Sequence, residues 1–296
     1  MRKTTIIAFA MGFLSILPAS AADIAPVYKA PPPAAPVANW TGFYLGGNLG
    51  YGWGNHEMTE TVTAGPNLLI VPPGSTLYGG AQSFDIDPRG FNGGIQAGYN
   101  WQFNQSWVWG IEADIQATNM KRTADCARSC NTNTAIASGI LPALFPVTFS
   151  NYTDEQKLNW FGTVRGRLGY SNGPSLFYVT GGLAYGEVER NSSVSGSSTF
   201  LGLFPLNTFS GSSSNKSVNT GWTVGGGVET ALTAGWTLKV EYLYMDLGSV
   251  TDTLTTVFGS SFLPFQSGTV AANRTVTGDL TENIVRVGLN YRFGAH

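Results

Sequence analysis

Nine ionisable side chains in this 296-residue chain carry spacings that would gather acid and base on one surface. Glu112 and Asp114 lie two apart, as do Arg165 and Arg167, and Lys239 and Glu241; Glu229, Arg286 and Arg292 complete the set. In an extended strand residues i and i+2 share a face, so each pair projects to one side. Four carboxylates against five cations favours mutual pairing. Ionic groups removed from water are tolerated when paired and hydrogen-bonded, whereas an orphan is costly. The arrangement reads as a polar plug that ties a wall together, with a charged ion path as the alternative.

Other chemistry has little to stand on. Nucleophilic or general-base catalysis needs a base beside its nucleophile, commonly histidine. The two histidines, His56 and His296, fall outside the strand pattern described below, so no catalytic residue is expected. No metal-ligand cluster and no cofactor site is evident. Gly225-Gly226-Gly227 lies in a strand pattern rather than at a helix start, which argues against a phosphate cradle. Cys126 and Cys130 are the only cysteines. In an exported protein they point to a local disulfide, and zinc is the poorer alternative for want of two further ligands.

The elements that must hold the charged residues show as a two-residue alternation in eight stretches. The last is the cleanest: Val285, Val287, Leu289, Tyr291 and Phe293 face one way, and Ile284, Arg286, Gly288, Asn290 and Arg292 the other. The earlier stretches are Trp40–Trp53, Gly90–Gln102, Trp107–Asn119, Lys157–Tyr170, Ser175–Glu189, Val218–Ala231 and Trp236–Leu247. In the fourth, Leu158 and Trp160 are read as apolar-facing and Asn159 as polar-facing, with Phe161 an exception. Tight turns at Phe103–Ser106, Ser171–Pro174 and Leu232–Gly235 alternate with long connections at 55–89, 120–156, 190–217 and 248–281. Asn172-Gly173 is the dipeptide that favours a hairpin.

Short turns at one end and long loops at the other are the pattern of an outer-membrane barrel, with periplasmic turns and extracellular loops. A soluble barrel would crowd the Trp, Tyr and Phe faces into an eight-stranded interior that barely has room for side chains. Turned outward, Trp40, Trp53, Trp101, Trp107, Trp160, Trp236, Tyr291 and Phe293 become interfacial girdles. The expected fold is all-β: an eight-stranded antiparallel transmembrane β-barrel with four long extracellular loops. A net charge of −2 gives no basic footprint for nucleic acid.

Residues 1–21 read as a signal peptide, with Arg2 and Lys3 before an apolar core and Ala19-Ser20-Ala21 as the cleavage site; cleavage after Ala22 is the near alternative. Residues 22–39 hold Pro26, Pro31, Pro32, Pro33 and Pro36, an extended periplasmic lead-in. Residues 40–296 form the barrel domain. Each long loop holds an apolar, proline-marked patch: Leu69 and Ile70, Leu144 and Phe145, Leu203 and Phe204, Phe262 and Phe265. These patches either pack together or form a binding surface for a host protein or a hydrophobic ligand such as hemin.

The Trp40-Thr41-Gly42-Phe43-Tyr44-Leu45-Gly46-Gly47 start, the Arg165–Tyr170 run, Val240-Glu241-Tyr242-Leu243-Tyr244 and the terminal Val285–Phe293 resemble the small outer-membrane barrels of alphaproteobacteria. These are RopB-type major surface antigens, grouped with hemin-binding homologues and the wider OmpA/OmpX-like barrels. The resemblance implies insertion by the barrel-assembly machinery, which reads an aromatic-ended last strand: Val285, Val287, Leu289, Tyr291 and Phe293 here. Gly294-Ala295-His296 after Phe293 departs from that signal. It further implies lipid and lipopolysaccharide as surroundings and a structural, surface-interacting role, with a narrow porin as the alternative.

Overall fold

The computed structural model describes residues 39–54, 56–64, 82–125, 147–200, 204–233, 235–263 and 266–294. Its strands are β1 (Gly42–Gly54), β2 (His56–Ala64), β3 (Gln82–Ile86), β4 (Arg89–Gln102), β5 (Trp107–Asp125), β6 (Val147–Asn172), β7 (Ser175–Phe200), β8 (Phe204–Ala231), β9 (Trp236–Leu263) and β10 (Gln266–Arg292). Consecutive ring strands pair antiparallel, and β1 pairs with both β4 and β10. β1 and β4–β10 therefore close an eight-stranded ring with no free edge. β2 continues β1 and pairs with β10 over Ala272–Gly278, while β3 leads into β4.

The segments expected as loops are in good part ladder. β7 and β8 stay paired from Ser175↔Thr230 out to Phe200↔Phe204, and β9 and β10 from Trp236↔Tyr291 to Leu263↔Gln266. These outer stretches are rich in Ser, Thr and Asn on both faces, so they have no apolar alternation to betray them. Backbone pairing holds them, with hydroxyl pairs such as Thr251–Thr277 at 3.0 Å and Thr253–Thr275 at 3.3 Å across the ladder. His56, expected off the strands, opens β2 opposite Ile86. Phe204 opens β8 and Phe262 lies in β9. Leu69, Ile70, Leu144, Phe145, Leu203, Phe265, Cys126, Cys130 and residues 1–38 fall outside the described residues.

At the other end the turns are tight. Asn172 still pairs with Ser175, so the turn proper is Gly173-Pro174, one residue later than the Asn-Gly dipeptide suggested. Gly173 takes φ +61°. Positive φ at the first central position is what a II′ hairpin turn requires, and the proline ring fixes the second.

The outer wall is an apolar belt. Leu49 is 75% exposed, Leu183 68% and Ile95 62%. Soluble monomers seldom expose contiguous apolar patches above a few hundred Å². Aromatic contacts edge the belt on both sides. Trp236–Tyr291, Tyr291–Phe293, Phe43–Phe293 and the stacked Trp101–Trp109 pair lie toward the turns; Tyr51–Phe91, Trp160–Tyr185 and Trp222–Tyr244 lie toward the hairpins. On β7 the belt runs from Phe177 to Tyr185, about 26 Å of strand and so about 20 Å along the axis at the usual tilt.

Three side chains break the expected facing. A bulge leaves Asn159 without a partner on β7, between Leu158↔Val188 and Trp160↔Glu187. One extra residue reverses the alternation, so Leu158 turns inward and is buried, while Asn159 reaches the carboxylates of Glu187 and Glu189 on the next strand. Phe161 points inward with Thr163 and Arg165, as its position in the period requires. Trp40 is not in a girdle. It precedes β1 and folds under the ring, fully buried.

Candidate functional site

Alternation along each strand turns one row of side chains into the lumen, and the register decides who meets whom. Glu112 on β5 stands opposite Arg165 on β6, and Glu241 on β9 opposite Arg286 on β10. Glu229 on β8 stands opposite Lys239 on β9. Every one of these groups is buried.

The network is continuous. Arg165 donates to Glu112, to Asp114 Oδ2 at 3.0 Å and to Glu241 Oε1 at 3.0 Å. Arg286 donates from Nε to Glu241 Oε2 at 2.6 Å and from Nη2 to Asp114 Oδ2 at 3.0 Å. Lys239 Nζ lies 3.0 Å from both oxygens of Glu112. Arg167 donates to Glu229 at 2.8 Å and stacks 4.1 Å from the Tyr178 ring centroid. Neutral groups take up remaining lone pairs. Tyr44 donates to Glu112 at 2.7 Å, Tyr178 to Glu241 at 2.9 Å, Thr163 to Asp114 at 2.7 Å and Asn290 to Glu229 at 2.9 Å. Charge-assisted bonds of this kind are the stronger ones, and in a low-dielectric interior their satisfaction separates a rigid core from a costly one.

The network is closed at both ends. On the turn side the Trp40 indole donates to Ser171 Oγ at 2.9 Å, and its backbone N–H donates to Gln102. Arg292 lies 4.6 Å from the Trp40 ring centroid and donates to the Asn39 carbonyl at 2.6 Å, joining the start of the barrel to its last strand. Val108, Leu176 and Tyr178 pack around the same tryptophan. On the hairpin side lies an apolar layer of Met120, Leu158, Phe161, Ala184, Val188, Leu243, Met245, Leu247, Leu280 and Ile284. Above it is a second polar layer, where Arg190 meets Asp154 at 3.4 Å and the Met58 sulfur at 3.5 Å.

A family model described as outer membrane protein beta-barrel domain matches residues 9–293. The chain belongs to this family. It is 34% identical over 278 residues to the 31 kDa outer-membrane immunogenic protein of Brucella melitensis, covering 93% of each chain. It is 30% identical over 217 residues to the 22 kDa outer membrane protein of Rhizobium leguminosarum bv. viciae, covering 73% of this chain and 69% of that one. The crystal structure of Ail, the attachment invasion locus protein of Yersinia pestis, aligns over 85% of this chain and 99% of that one, at 12% identity and a TM-score of 0.27. Both sequence relatives are named as outer-membrane proteins rather than as enzymes.

In this outer-membrane barrel the tight turns are periplasmic, the hairpins extracellular, and the apolar belt faces lipid. All nine charged residues singled out in the sequence line the lumen. Eight of them form the network, and Arg292 sits below it against Trp40. Val285, Val287, Leu289, Tyr291 and Phe293 project to lipid together. Sequence reasoning missed Tyr178, which shares the inward face of Leu176 and Thr180 in the least regular strand. It also missed the apolar layer, whose members were hidden by the bulge at Asn159 and by Met120 beyond the expected end of β5.

Outside the lumen, above the extracellular edge of the belt, a second set of charges faces solvent. Hydrogen bonds from Asn159, Asn191 and Lys216 lower the Glu189 carboxyl to about 2. A hydrogen bond from Lys157 lowers Glu155, and the same contact raises Lys157.

Proposed function

We propose that this protein is a closed barrel with a side-chain-filled lumen that braces the outer membrane and displays its hairpins to the medium, rather than a channel. The observation that carries this reading is the stacking inside the lumen. An ion-pair network crosses the barrel between the Trp40 cap below and an apolar layer of ten buried residues above. An eight-stranded barrel has an interior just wide enough for side chains. A continuous ion path would have to break several buried pairs and cross the apolar layer.

The extended hairpins suit a surface role, because they carry polar ladders well beyond the belt. The immunogenic naming of the Brucella relative supports display at the cell surface. The outward row ending in Tyr291 and Phe293 is the stretch the assembly machinery would read during insertion, and residues 1–21 and 22–39 serve as export signal and periplasmic lead-in. Planar-bilayer recording of the refolded protein tests the proposal. A silent bilayer is expected, and steady unitary openings of reproducible size would overturn it in favour of a narrow porin.

A further inference from the structure

Just above the extracellular girdle the pairing register sets three cations side by side on the outer wall. Arg89 on β4 stands directly opposite Lys121 on β5, and Lys121 directly opposite Lys157 on β6. All three face away from the lumen. Arg89 shares the face of Phe91 and Lys121 that of Ile111 and Ile115, while the bulge at Asn159 turns Leu158 inward and returns Lys157 to the outside. Like charges directly opposite one another across strands are destabilising.

The protein compensates this row only in part. Glu155 approaches Lys157 at 2.6 Å, and Asp87 comes no nearer than 3.9 Å to Arg89, with both side chains well exposed. Lys121 has no ion-pair partner among the described residues. At the same level on β7, Glu189 stands opposite both Lys157 and Lys216 and pairs with Lys216 at 3.0 Å, so it offsets the Lys157 end of the row and leaves Lys121, between two cations, the least compensated. On β4, β5 and β6 these cations are the first charges met on leaving the lipid belt. Asp87 and Glu155 lie two residues further out. Arg89 is about 7 Å along the strand from Phe91, within reach of the interface for a long, flexible side chain.

We propose that Arg89, Lys121 and Lys157 bind the phosphates of lipid A, the anionic headgroup of lipopolysaccharide in the outer leaflet. The proposal goes beyond the closed-barrel reading and does not depend on it; it requires only the outer-membrane location. Height and charge together select the occupant. A phosphate anchored at the bilayer surface meets the row where it stands and gives Lys121 the direct ion-pair partner it lacks among the described residues.

The test uses the full chain refolded in detergent, with native mass spectrometry to titrate bisphosphorylated lipid A and the same lipid stripped of both phosphates. A basic residue near an anionic surface contributes enough that three together favour the phosphorylated lipid on the order of a hundredfold. The wild type is expected to show that preference, weakening with added salt. The triple variant Arg89→Gln, Lys121→Gln, Lys157→Gln is expected to lose it, and Lys216→Gln to keep it. Should the triple variant not refold, as judged by gel mobility before and after heating, Lys121→Gln alone carries the test with a loss of about fivefold. Equal binding of the two lipids by the wild type, or an unchanged preference in the variant that is tested, would overturn the site. So would displacement by millimolar inorganic phosphate as effective as by the lipid.

Discussion

Replacing Glu241 by Gln removes a lumen carboxylate that two arginines share. Its oxygens accept from Arg286 at 2.6 Å, from Arg165 at 3.0 Å and from Tyr178 at 2.9 Å, and the side chain has no exposure to solvent. The amide is nearly the same shape, so packing is kept. What changes is that Arg165 and Arg286 are left to divide Glu112 and Asp114, while the new NH2 group can end up facing a guanidinium. Breaking a buried ion pair from one side costs about 3–5 kcal/mol, because a charge stays buried without its counterion. With a urea slope of about 2 kcal/mol/M, the unfolding midpoint should fall by about 2 M. The double variant Glu241→Gln, Arg286→Gln removes one charge of each sign. It should cost less than the sum of its parts, with a coupling of about 0.5–3 kcal/mol. Equilibrium urea unfolding in lipid vesicles, followed by tryptophan fluorescence and gel mobility, measures all four corners of the cycle. A single-variant cost below about 1 kcal/mol, or strict additivity, would refute the view that this network is a core of mutually paired charges.

Three further outcomes follow from particular contacts. Trp40→Ala should destabilise the barrel by about 3–5 kcal/mol in the same unfolding assay, since it empties the periplasmic cap and leaves Arg292 without its ring; Trp40→Phe, which loses the bond to Ser171, should cost only about 1 kcal/mol of hydrogen bonding plus some packing. Gly182→Ala should cost about 1–3 kcal/mol, because its new Cβ would lie 2.1 Å from the Val164 carbonyl oxygen opposite, whereas at lipid-facing Gly166 the nearest atom is 3.9 Å away and alanine should fall within about 0.5 kcal/mol of wild type. The Glu189 carboxyl should titrate near 2 by carbon NMR. A depressed folded value means its contribution is present above the usual carboxylate range of about 4.3 and is lost as pH falls through about 2; Lys216→Gln should move the titration upward.

The ring of eight strands was legible because a wall with lipid on one side and a packed lumen on the other forces a strict period of two. Glu112, Asp114, Arg165, Arg167, Lys239, Glu241 and Arg286 could all be assigned to the lumen from their neighbours' hydrophobicity alone. Trp40 could not. An aromatic residue ahead of the first strand has the composition of a girdle member, and only the path of the chain under the ring shows that it turns inward. Leu158 and Asn159 were misread for a different reason: a bulge inserts one residue, shifts the phase, and leaves no mark in residue type. The extracellular ladders were hidden because Ser, Thr and Asn on both faces carry no amphipathic signal, although their backbones stay paired within each hairpin.

By itself, then, the sequence determined which side of each strand meets lipid and which residues share the lumen, since transfer free energy acts on each side chain separately. The tertiary structure decided who is paired with whom: Arg165 with carboxylates from β5 and β9, Arg167 with Glu229, Lys121 set between two other cations. Those relations depend on register and on closure of the ring, which are properties of strands far apart in the chain and are written in no single one of them.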